Sequence, residues 1–213
     1  MYKLYNGDCL ETMKTIPDKS IDLIVTDPPY GKKADSGTNG FGYSQNRIYK
    51  GGWDKERPVK EYFDEMFRIA RNVIIFGGNY FCDMLPPTNH WIFWDKKGDI
   101  KFQNPFADGE LIYTTFNKPV RKIVFKQQGF ITDSKDKRYH PTQKPTELLS
   151  ELLDLYTNKG DLICDPFMGS GSTGVACKNL SRNFIGIELD ENYFNIAKER
   201  IEETEVKHKL VIR

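Results

Sequence analysis

The stretch best suited to chemistry on a planar ligand is Asp27-Pro28-Pro29-Tyr30, which follows an apolar, β-branched run at residues 21–26. That run is typical of a buried strand in a parallel sheet, and the two prolines end its ladder of hydrogen bonds. Asp27 is therefore predicted just beyond the carboxyl end of a strand, where open α/β sheets bind ligands. A carboxylate, the rigid Pro28 carbonyl and the face of Tyr30 together suit a ring with an exocyclic amino group, as in a nucleobase.

The same four residues are also typical of an ordinary turn. Aspartate and proline are frequent in turns for local reasons, with the aspartate capping a helix and the tyrosine packing on the surface. Motif matches of this length include false positives, so a second, independent signal is needed to choose between a turn and a site.

A glycine-rich motif supplies that signal in the second half of the chain. Residues 165–174 are Asp-Pro-Phe-Met-Gly-Ser-Gly-Ser-Thr-Gly, between a predicted strand at 161–164 and the helix that follows. Glycines in this setting let a ligand approach the backbone at a helix N-terminus. Glu188 ends the next predicted strand, where a carboxylate can accept hydrogen bonds from ribose hydroxyls. The pattern fits either a dinucleotide or S-adenosylmethionine.

The composition is that of a globular chain. Of 213 residues, 38% are hydrophobic and 13% aromatic, which suffices for a packed core. No apolar run reaches membrane-spanning length, and the N-terminus does not resemble a signal peptide. The four cysteines lack metal-ligand spacing, which favours reduced thiols. These features predict a soluble, cytoplasmic protein without a metal site.

Charge is unevenly distributed along the chain, although the net charge is only +1. Residues 31–60 hold seven Lys/Arg against three Asp/Glu, and residues 95–140 hold ten against six, whereas residues 145–213 hold eight against twelve. Two basic segments on an acidic body predict a footprint for a polyanion. Solvated surface lysines would give the same counts.

The spacing of apolar residues predicts alternating strands and helices. Strands are predicted at 3–6, 21–26, 73–76, 90–94, 161–164 and 184–187, with a possible edge strand at 209–212, and helices at 9–16, 58–70, 146–155, 171–180 and 190–203. Residues 110–116 and 122–126 are predicted to form an antiparallel pair. The alternation indicates a doubly wound α/β sheet with an antiparallel hairpin near one edge.

Four motifs, in their order along the chain, resemble those of the amino-group DNA methyltransferases of the permuted β class. Asp27-Pro28-Pro29-Tyr30 is similar to the catalytic motif of that family, residues 140–145 to the segment before its cofactor motif, residues 165–174 to the cofactor motif and Glu188 to its ribose-binding acid. Gly7-Asp8-Cys9 resembles the short motif near the cofactor's adenine. The resemblance covers nearly the whole chain. It implies a single domain at 1–213 with a permuted, Rossmann-like fold and a mostly parallel seven-stranded sheet.

The resemblance also implies S-adenosylmethionine as the cofactor. The residues that it assigns to the cofactor are Asp8, Cys9, Asp27, His140, Lys144, Asp165, Phe167, Gly169, Ser170, Gly171, Ser172, Thr173 and Glu188. Phe167 is expected to pack beside the cofactor, and Ser172 and Thr173 to bind its carboxylate. Packing or helix capping would explain the same residues. For His140 and Lys144 the alternative to cofactor contact is a turn, shaped by Pro141 and Pro145, before the helix.

By resemblance, the reaction moves a methyl group from the sulfonium to the exocyclic nitrogen of a base. Asp27 and the Pro28 carbonyl accept hydrogen bonds from the amino group and stabilise the positive charge that develops on nitrogen. The base must leave the duplex, and Tyr30 offers a stacking surface for it. Aspartate at the first motif position favours adenine N6 within the family, and cytosine N4 is the alternative.

Two segments are predicted to contact double-stranded DNA. Residues 31–57 lack periodicity and interleave basic with aromatic side chains, which predicts a mobile loop that orders on binding. Residues 95–139 correspond to a target-recognition region that is short for the family. Sequence recognition is therefore minimal, shared with residues 31–57, or completed by a second subunit, in a homodimer or with a specificity partner.

Two competing functions use the same motifs. A nicotinamide-dependent oxidoreductase would also need the glycines and the acid, but its turn has glycine almost directly after the strand, whereas here four residues precede Gly169. That function also leaves residues 27–30 without a role. A catalytically silent DNA-binding protein is the other alternative, and the intact residues 27–30 argue against it.

Overall fold

A computed structural model describes residues 1–31, 56–101, 107–128, 131–139 and 142–205. The strands are β1 (Tyr2–Asn6), β2 (Ile21–Thr26), β3 (Ala70–Phe76), β4 (Trp91–Asp95), β5 (Gly109–Thr114), β6 (Arg121–Val124), β7 (Gln127–Gln128), β8 (Ile131–Thr132), β9 (Leu162–Asp165) and β10 (Asn183–Glu188). The α-helices are α1 (Cys9–Lys14), α2 (Lys60–Ile69), α3 (Thr146–Tyr156), α4 (Ser172–Asn179) and α5 (Glu191–Glu203). None of these helices has the length and apolar character of a membrane span.

Eight strands form one sheet in the order β1-β10-β9-β2-β3-β5-β4-β6. Neighbours run parallel from β1 to β3, and β4 runs parallel to β6, while β5 is antiparallel to both β3 and β4. The predicted mostly parallel α/β sheet with an antiparallel pair near one edge is confirmed, and in the part of the chain that the structure describes it has eight strands instead of seven. The carboxyl ends of β1, β2, β9 and β10 all open at one edge, because these strands run parallel.

The predicted pairing of residues 110–116 with 122–126 is wrong. β5 pairs with β4 instead, with Ile92 opposite Ile112, and β6 lies on the other side of β4. Both Ile92 and Trp94 of β4 are buried, whereas Ile123 is the one buried residue of β6. The more apolar strand therefore takes the internal position and the mostly exposed β6 takes the edge. No strand was predicted within residues 127–139, which contain the small β7–β8 ladder.

The core has two halves, one on each face of the sheet. Leu23 and Val25 of β2 face a cluster that includes α3, α4 and α5, whereas Ile21 and Ile24 face a second cluster with α1 and α2. Helices on both faces explain why successive residues at 23–25 of β2 are all apolar and buried. This rigid, doubly covered strand is the support on which Asp27 is held.

Some predictions fall outside the described residues. They are the mobility of residues 31–57, of which the structure describes Gly31, Glu56 and Arg57, the role of His140 and the edge strand at 209–212.

Candidate active site

The two sequence motifs line one cavity at the carboxyl ends of β2, β9 and β10. The cavity has a volume of about 270 Å³, about twenty times what a single water needs, so it has room for an organic ligand. It is lined by nearly all the described residues that were predicted for the site: Asp8, Cys9, Asp27, Pro28, Pro29, Tyr30, Lys144, Asp165, Phe167, Gly169, Ser170, Ser172, Thr173 and Glu188. Tyr62, Phe76 and Tyr193 also line it. They were not predicted as site residues, because their positions in the apolar pattern only indicated that they belong to helices and a strand.

Gly171 shapes the turn from behind the cavity. Its φ of +82° is the left-handed conformation that favours glycine, and a Cβ there would lie 2.8 Å from the Cβ of Ala197. The Gly171 amide closes the turn onto the Met168 carbonyl at 2.8 Å. The turn therefore packs directly on α5 and presents the start of α4 to the cavity.

Glu188 is held by two backbone amides. Its Oε2 accepts a hydrogen bond from the Gly169 amide at 2.8 Å, and its Oε1 accepts one from the Asp190 amide at 2.8 Å. Burial raises the pKa of Glu188, and these two hydrogen bonds oppose that shift. Each carboxylate oxygen keeps a second lone pair, so the side chain can accept two further hydrogen bonds from a diol.

The start of α4 carries one engaged hydroxyl and one free hydroxyl. Thr173 donates to Asp165 Oδ2 at 2.6 Å, and Asp165 Oδ1 accepts from the Thr26 hydroxyl at 2.7 Å and from the Phe167 amide at 3.1 Å. Ser172 Oγ is buried and lacks a hydrogen-bond partner within the described part of the chain. A buried, unpaired hydroxyl beside a cavity fits a polar ligand group there. The structure thus leaves Ser172, and not the Thr173 hydroxyl, available to a ligand carboxylate.

Asp8 caps helix α1 and also lines the cavity. Its Oδ1 accepts the Leu10 amide at 2.8 Å as the N-cap of α1, and it also accepts a hydrogen bond from the Tyr62 hydroxyl at 3.2 Å. The ring centroid of Tyr62 lies 6.1 Å from that of Phe167. Two aromatic rings and a capping acid therefore border the same end of the cavity, while Cys9 is buried behind them.

Both oxygens of the Asp27 carboxylate have partners. Oδ1 accepts a hydrogen bond from the Tyr30 hydroxyl at 2.5 Å, and Oδ2 lies 2.5 Å from the Lys144 ammonium. The side chains of Lys144 and Asp27 are 11% and 20% exposed, so solvent screens this ion pair only partly. The resemblance placed Lys144 at the cofactor, and the structure places its charge on Asp27.

Glu110 is a site residue that sequence reasoning missed. It reaches the cluster from β5, with its side chain 9% exposed, and its Oε1 lies 3.0 Å from the Tyr30 hydroxyl and 3.4 Å from Lys144 Nζ. Its Oε2 binds Lys96 at 2.5 Å. One feature of the sequence indicated this role, an acid within a mostly apolar strand. Its closeness to Asp27 could be recognised only once the order of the strands in the sheet was known.

Opposite charges in the cluster counteract the effect of burial on the pKa values of its members. Burial raises the pKa of Asp27, Lys144 opposes that rise, and the neighbouring Glu110 adds to it. Burial also acts to raise the pKa of Glu110, but Lys144 and Lys96 outweigh it and leave that pKa below its usual value. Burial acts to lower the pKa of Lys144, and the two carboxylates reverse this, so its pKa is raised. Glu110 is therefore an ionised carboxylate at neutral pH, next to a charged lysine.

The ring of Tyr30 packs against aromatic side chains and against bare backbone. Its centroid lies 4.7 Å from that of Tyr80 and 5.9 Å from that of Phe81. A Cβ at Gly77, whose φ is +62°, would lie 2.4 Å from Tyr30 Cζ. Gly77 therefore allows the phenol to reach Asp27.

We expect Gly77→Ala to displace the ring of Tyr30 beside Asp27 and to lower the catalytic rate by about 10- to 100-fold, because small displacements of a group that positions the substrate have such effects. Gly160→Ala is the matched control: Gly160 also has a positive φ, of +91°, but a Cβ there has no neighbour within 4 Å. Both variants should lose about 1–2 kcal/mol of stability from the left-handed backbone. Turnover and thermal unfolding distinguish the two effects, and an equal rate loss in both variants would contradict this role of Gly77.

Comparison with known proteins agrees with this geometry. The N6_N4_Mtase family model, described as DNA methylase, matches residues 76–199. The type II methyltransferase M.HpaI of Haemophilus parainfluenzae is 28% identical, over 94% of this chain and 74% of that protein. The type II methyltransferase M2.MboI of Moraxella bovis is 29% identical, over 95% of this chain and 88% of that protein.

Solved structures have the same fold. The M1.HpyAVI–SAM complex is 26% identical, with a TM-score of 0.60 over 94% of this chain and 99% of that one. The cytosine-N4-specific PvuII DNA methyltransferase is 16% identical, with a TM-score of 0.63 over 97% of this chain and 90% of that one, and it shows the fold alone. The family model covers more than half of the chain, and the resemblance seen in the sequence is confirmed: this chain belongs to the N6/N4 DNA methylase family.

Proposed function

We propose that this chain transfers a methyl group from S-adenosylmethionine to the exocyclic N6 of adenine in DNA. The observation that carries the proposal is that one cavity holds both the glycine turn with Glu188 and the Asp27-Pro28-Pro29-Tyr30 segment. Donor and acceptor of a group transfer must meet within about 3–3.5 Å. A shared cavity at the carboxyl edge of the sheet allows this without movement of a domain.

The binding half of the cavity suits a cationic nucleoside. Glu188 offers two acceptors for ribose hydroxyls, and the orphan Ser172 hydroxyl lies at the helix start, where a carboxylate is favoured. Three carboxylates line the same cavity, those of Asp27, Asp165 and Glu188. The sulfonium of S-adenosylmethionine supplies an activated methyl group, and the surrounding carboxylates match its positive charge.

Asp27 performs the central step by accepting a hydrogen bond from the amino group of the base. The nitrogen lone pair is delocalised into the ring, and hydrogen bonds to Asp27 and the Pro28 carbonyl favour the pyramidal geometry that localises it. They also stabilise the positive charge that forms as the methyl group arrives, and they act strongly because the carboxylate is largely shielded from water. The side chains of this site form no covalent bond to the substrate in this scheme.

The base reaches Asp27 only after it leaves the duplex. Unstacking costs a few kcal/mol, and stacking on an aromatic side chain returns about 1–3 kcal/mol. Tyr30 lines the cavity beside Asp27 and supplies such a face. We assign target recognition to residues 95–139, since this segment corresponds to the target-recognition region of the family and holds ten Lys/Arg against six Asp/Glu.

Three measurements test the function. Calorimetry should detect binding of S-adenosylmethionine and none of NAD, and labelled methyl should pass from the cofactor to unmethylated bacterial DNA. Nucleoside mass spectrometry of the product should find N6-methyladenine, which the aspartate at the first motif position supports. A product that contains N4-methylcytosine and no N6-methyladenine would refute the choice of adenine. Absence of transfer to any DNA would refute the proposed reaction.

Cofactor affinity should depend on pH through Asp165. Burial raises the pKa of Asp165 to about 6, although the hydroxyls of Thr173 and Thr26 oppose the shift. The carboxylate is ionised above that pKa and protonated below it, so the attraction for the sulfonium is lost as pH falls through about 6.

We expect calorimetry to show weaker binding of S-adenosylmethionine at pH 5 than at pH 8. The uncharged thioether product, S-adenosylhomocysteine, should show a smaller change, and Asp165→Asn should flatten the dependence. Equal pH slopes for the two ligands would contradict this assignment.

A further inference from the structure

Each oxygen of the Asp27 carboxylate already binds a donor before any substrate arrives. The Tyr30 hydroxyl occupies Oδ1 and the Lys144 ammonium occupies Oδ2, each at 2.5 Å. An amino group that donates to Asp27 shares the carboxylate with these two donors, and its hydrogen bond becomes stronger if one of them moves away. A displaced ammonium in a largely buried site needs another carboxylate, because an unpaired buried charge is strongly unfavourable.

Glu110 is the alternative acceptor for both donors. Its Oε1 lies 3.4 Å from Lys144 Nζ and 3.0 Å from the Tyr30 hydroxyl, so sub-ångström movements would transfer either donor to it. The hydroxyl carries a single proton and cannot fully satisfy two carboxylates at once. The two acids thus compete for the same two donors.

Glu110 is itself held in place from the other side. Lys96 binds Oε2 at 2.5 Å and lies 4.3 Å above the ring of the buried Trp94. This pairing leaves Oε1 facing the cluster. Glu110 is not among the residues that line the cavity, and it shares both Lys144 and the Tyr30 hydroxyl with Asp27.

We propose that Glu110 is a positioning residue that receives Lys144 and the Tyr30 hydroxyl from Asp27 when the acceptor amino group enters. The inference rests on the proposed function. In this scheme Lys144 blocks Asp27 in the free protein and leaves it by moving toward Glu110. Asp27 then becomes a free acceptor only at the moment when the base is present.

A double-mutant cycle tests this coupling. Methyl transfer to unmethylated bacterial DNA is measured with saturating cofactor and DNA for the wild type, Glu110→Gln, Lys144→Gln and the double variant. Glu110→Gln should lower kcat by about tenfold or more while Lys144 is present. In the Lys144→Gln background the same change should alter kcat by less than about twofold, because no ammonium remains to be moved. The Kd of S-adenosylmethionine should stay within about threefold in Glu110→Gln, since Glu110 does not line the cavity.

A second substitution guards against a folding defect. Glu110→Asp keeps the charge that Lys96 needs but withdraws the carboxylate by one methylene, so it should unfold near the wild-type temperature and still lose kcat. It replaces Glu110→Gln in the cycle if the latter does not fold. The inference would be overturned if Glu110→Gln lowered kcat by the same factor in the wild type and in Lys144→Gln. An inactive Lys144→Gln would also overturn it, because Lys144 would then be required for the reaction instead of competing with the substrate for Asp27. Failure of the wild type to transfer methyl would instead refute the proposed function.

Discussion

Asp27→Ala should lower kcat for methyl transfer by about 10²–10³-fold, the usual effect of deleting a group that stabilises charge in the transition state. Asp27 is the carboxylate at the end of β2 that faces the cavity shared by both motifs. Cofactor affinity should change only a few-fold, because Glu188 and the glycine turn remain in place. Transfer of labelled methyl and calorimetry with S-adenosylmethionine measure the two quantities separately.

The interpretation depends on a folded variant, since removing Asp27 takes one partner from a buried ammonium. Lys144 retains Glu110 at 3.4 Å, so the charge is not stranded. Thermal unfolding should show this, and Asp27→Asn should preserve the shape of the site while also losing activity. A variant that keeps more than about a tenth of wild-type turnover would be incompatible with a transition-state role for Asp27.

Glu188→Ala should weaken binding of S-adenosylmethionine by about 1.5–3 kcal/mol, as expected for lost hydrogen bonds to a charged group. This corresponds to a roughly 10- to 150-fold rise in Kd. The structure adds a second cause, because the carboxylate also holds the amides of Gly169 and Asp190 at 2.8 Å. Both effects act in the same direction.

Glu199→Ala is a suitable control for Glu188→Ala, since Glu199 is an exposed acid on α5. It changes the net charge equally and should leave the affinity unchanged. At saturating cofactor, Glu188→Ala should recover most of its kcat, because Glu188 does not contact Asp27 or its partners. An unchanged Kd in Glu188→Ala would refute the assignment of Glu188 to the ribose.

Residues close together in the sequence determined most elements and both motifs. Strand β2 was predicted with its observed bounds, since an apolar run that ends at two prolines has little freedom to begin or end elsewhere. The glycine turn was also predicted in place, because α4 begins where Gly171 adopts a positive φ. The motifs converge because parallel strands all end at one edge of the sheet, so local order along the chain was enough to bring them together.

Tertiary structure alone decided which strands are neighbours and which charges meet. β4 lies between β5 and β6 because its buried side chains require an internal position, a comparison that no local pattern makes. That strand order carries Glu110 to Lys144, and Lys144 to Asp27, across 34 and 117 positions of sequence. Ion pairs leave no periodicity in the chain, because any acid and any base can form them once folding brings them within reach.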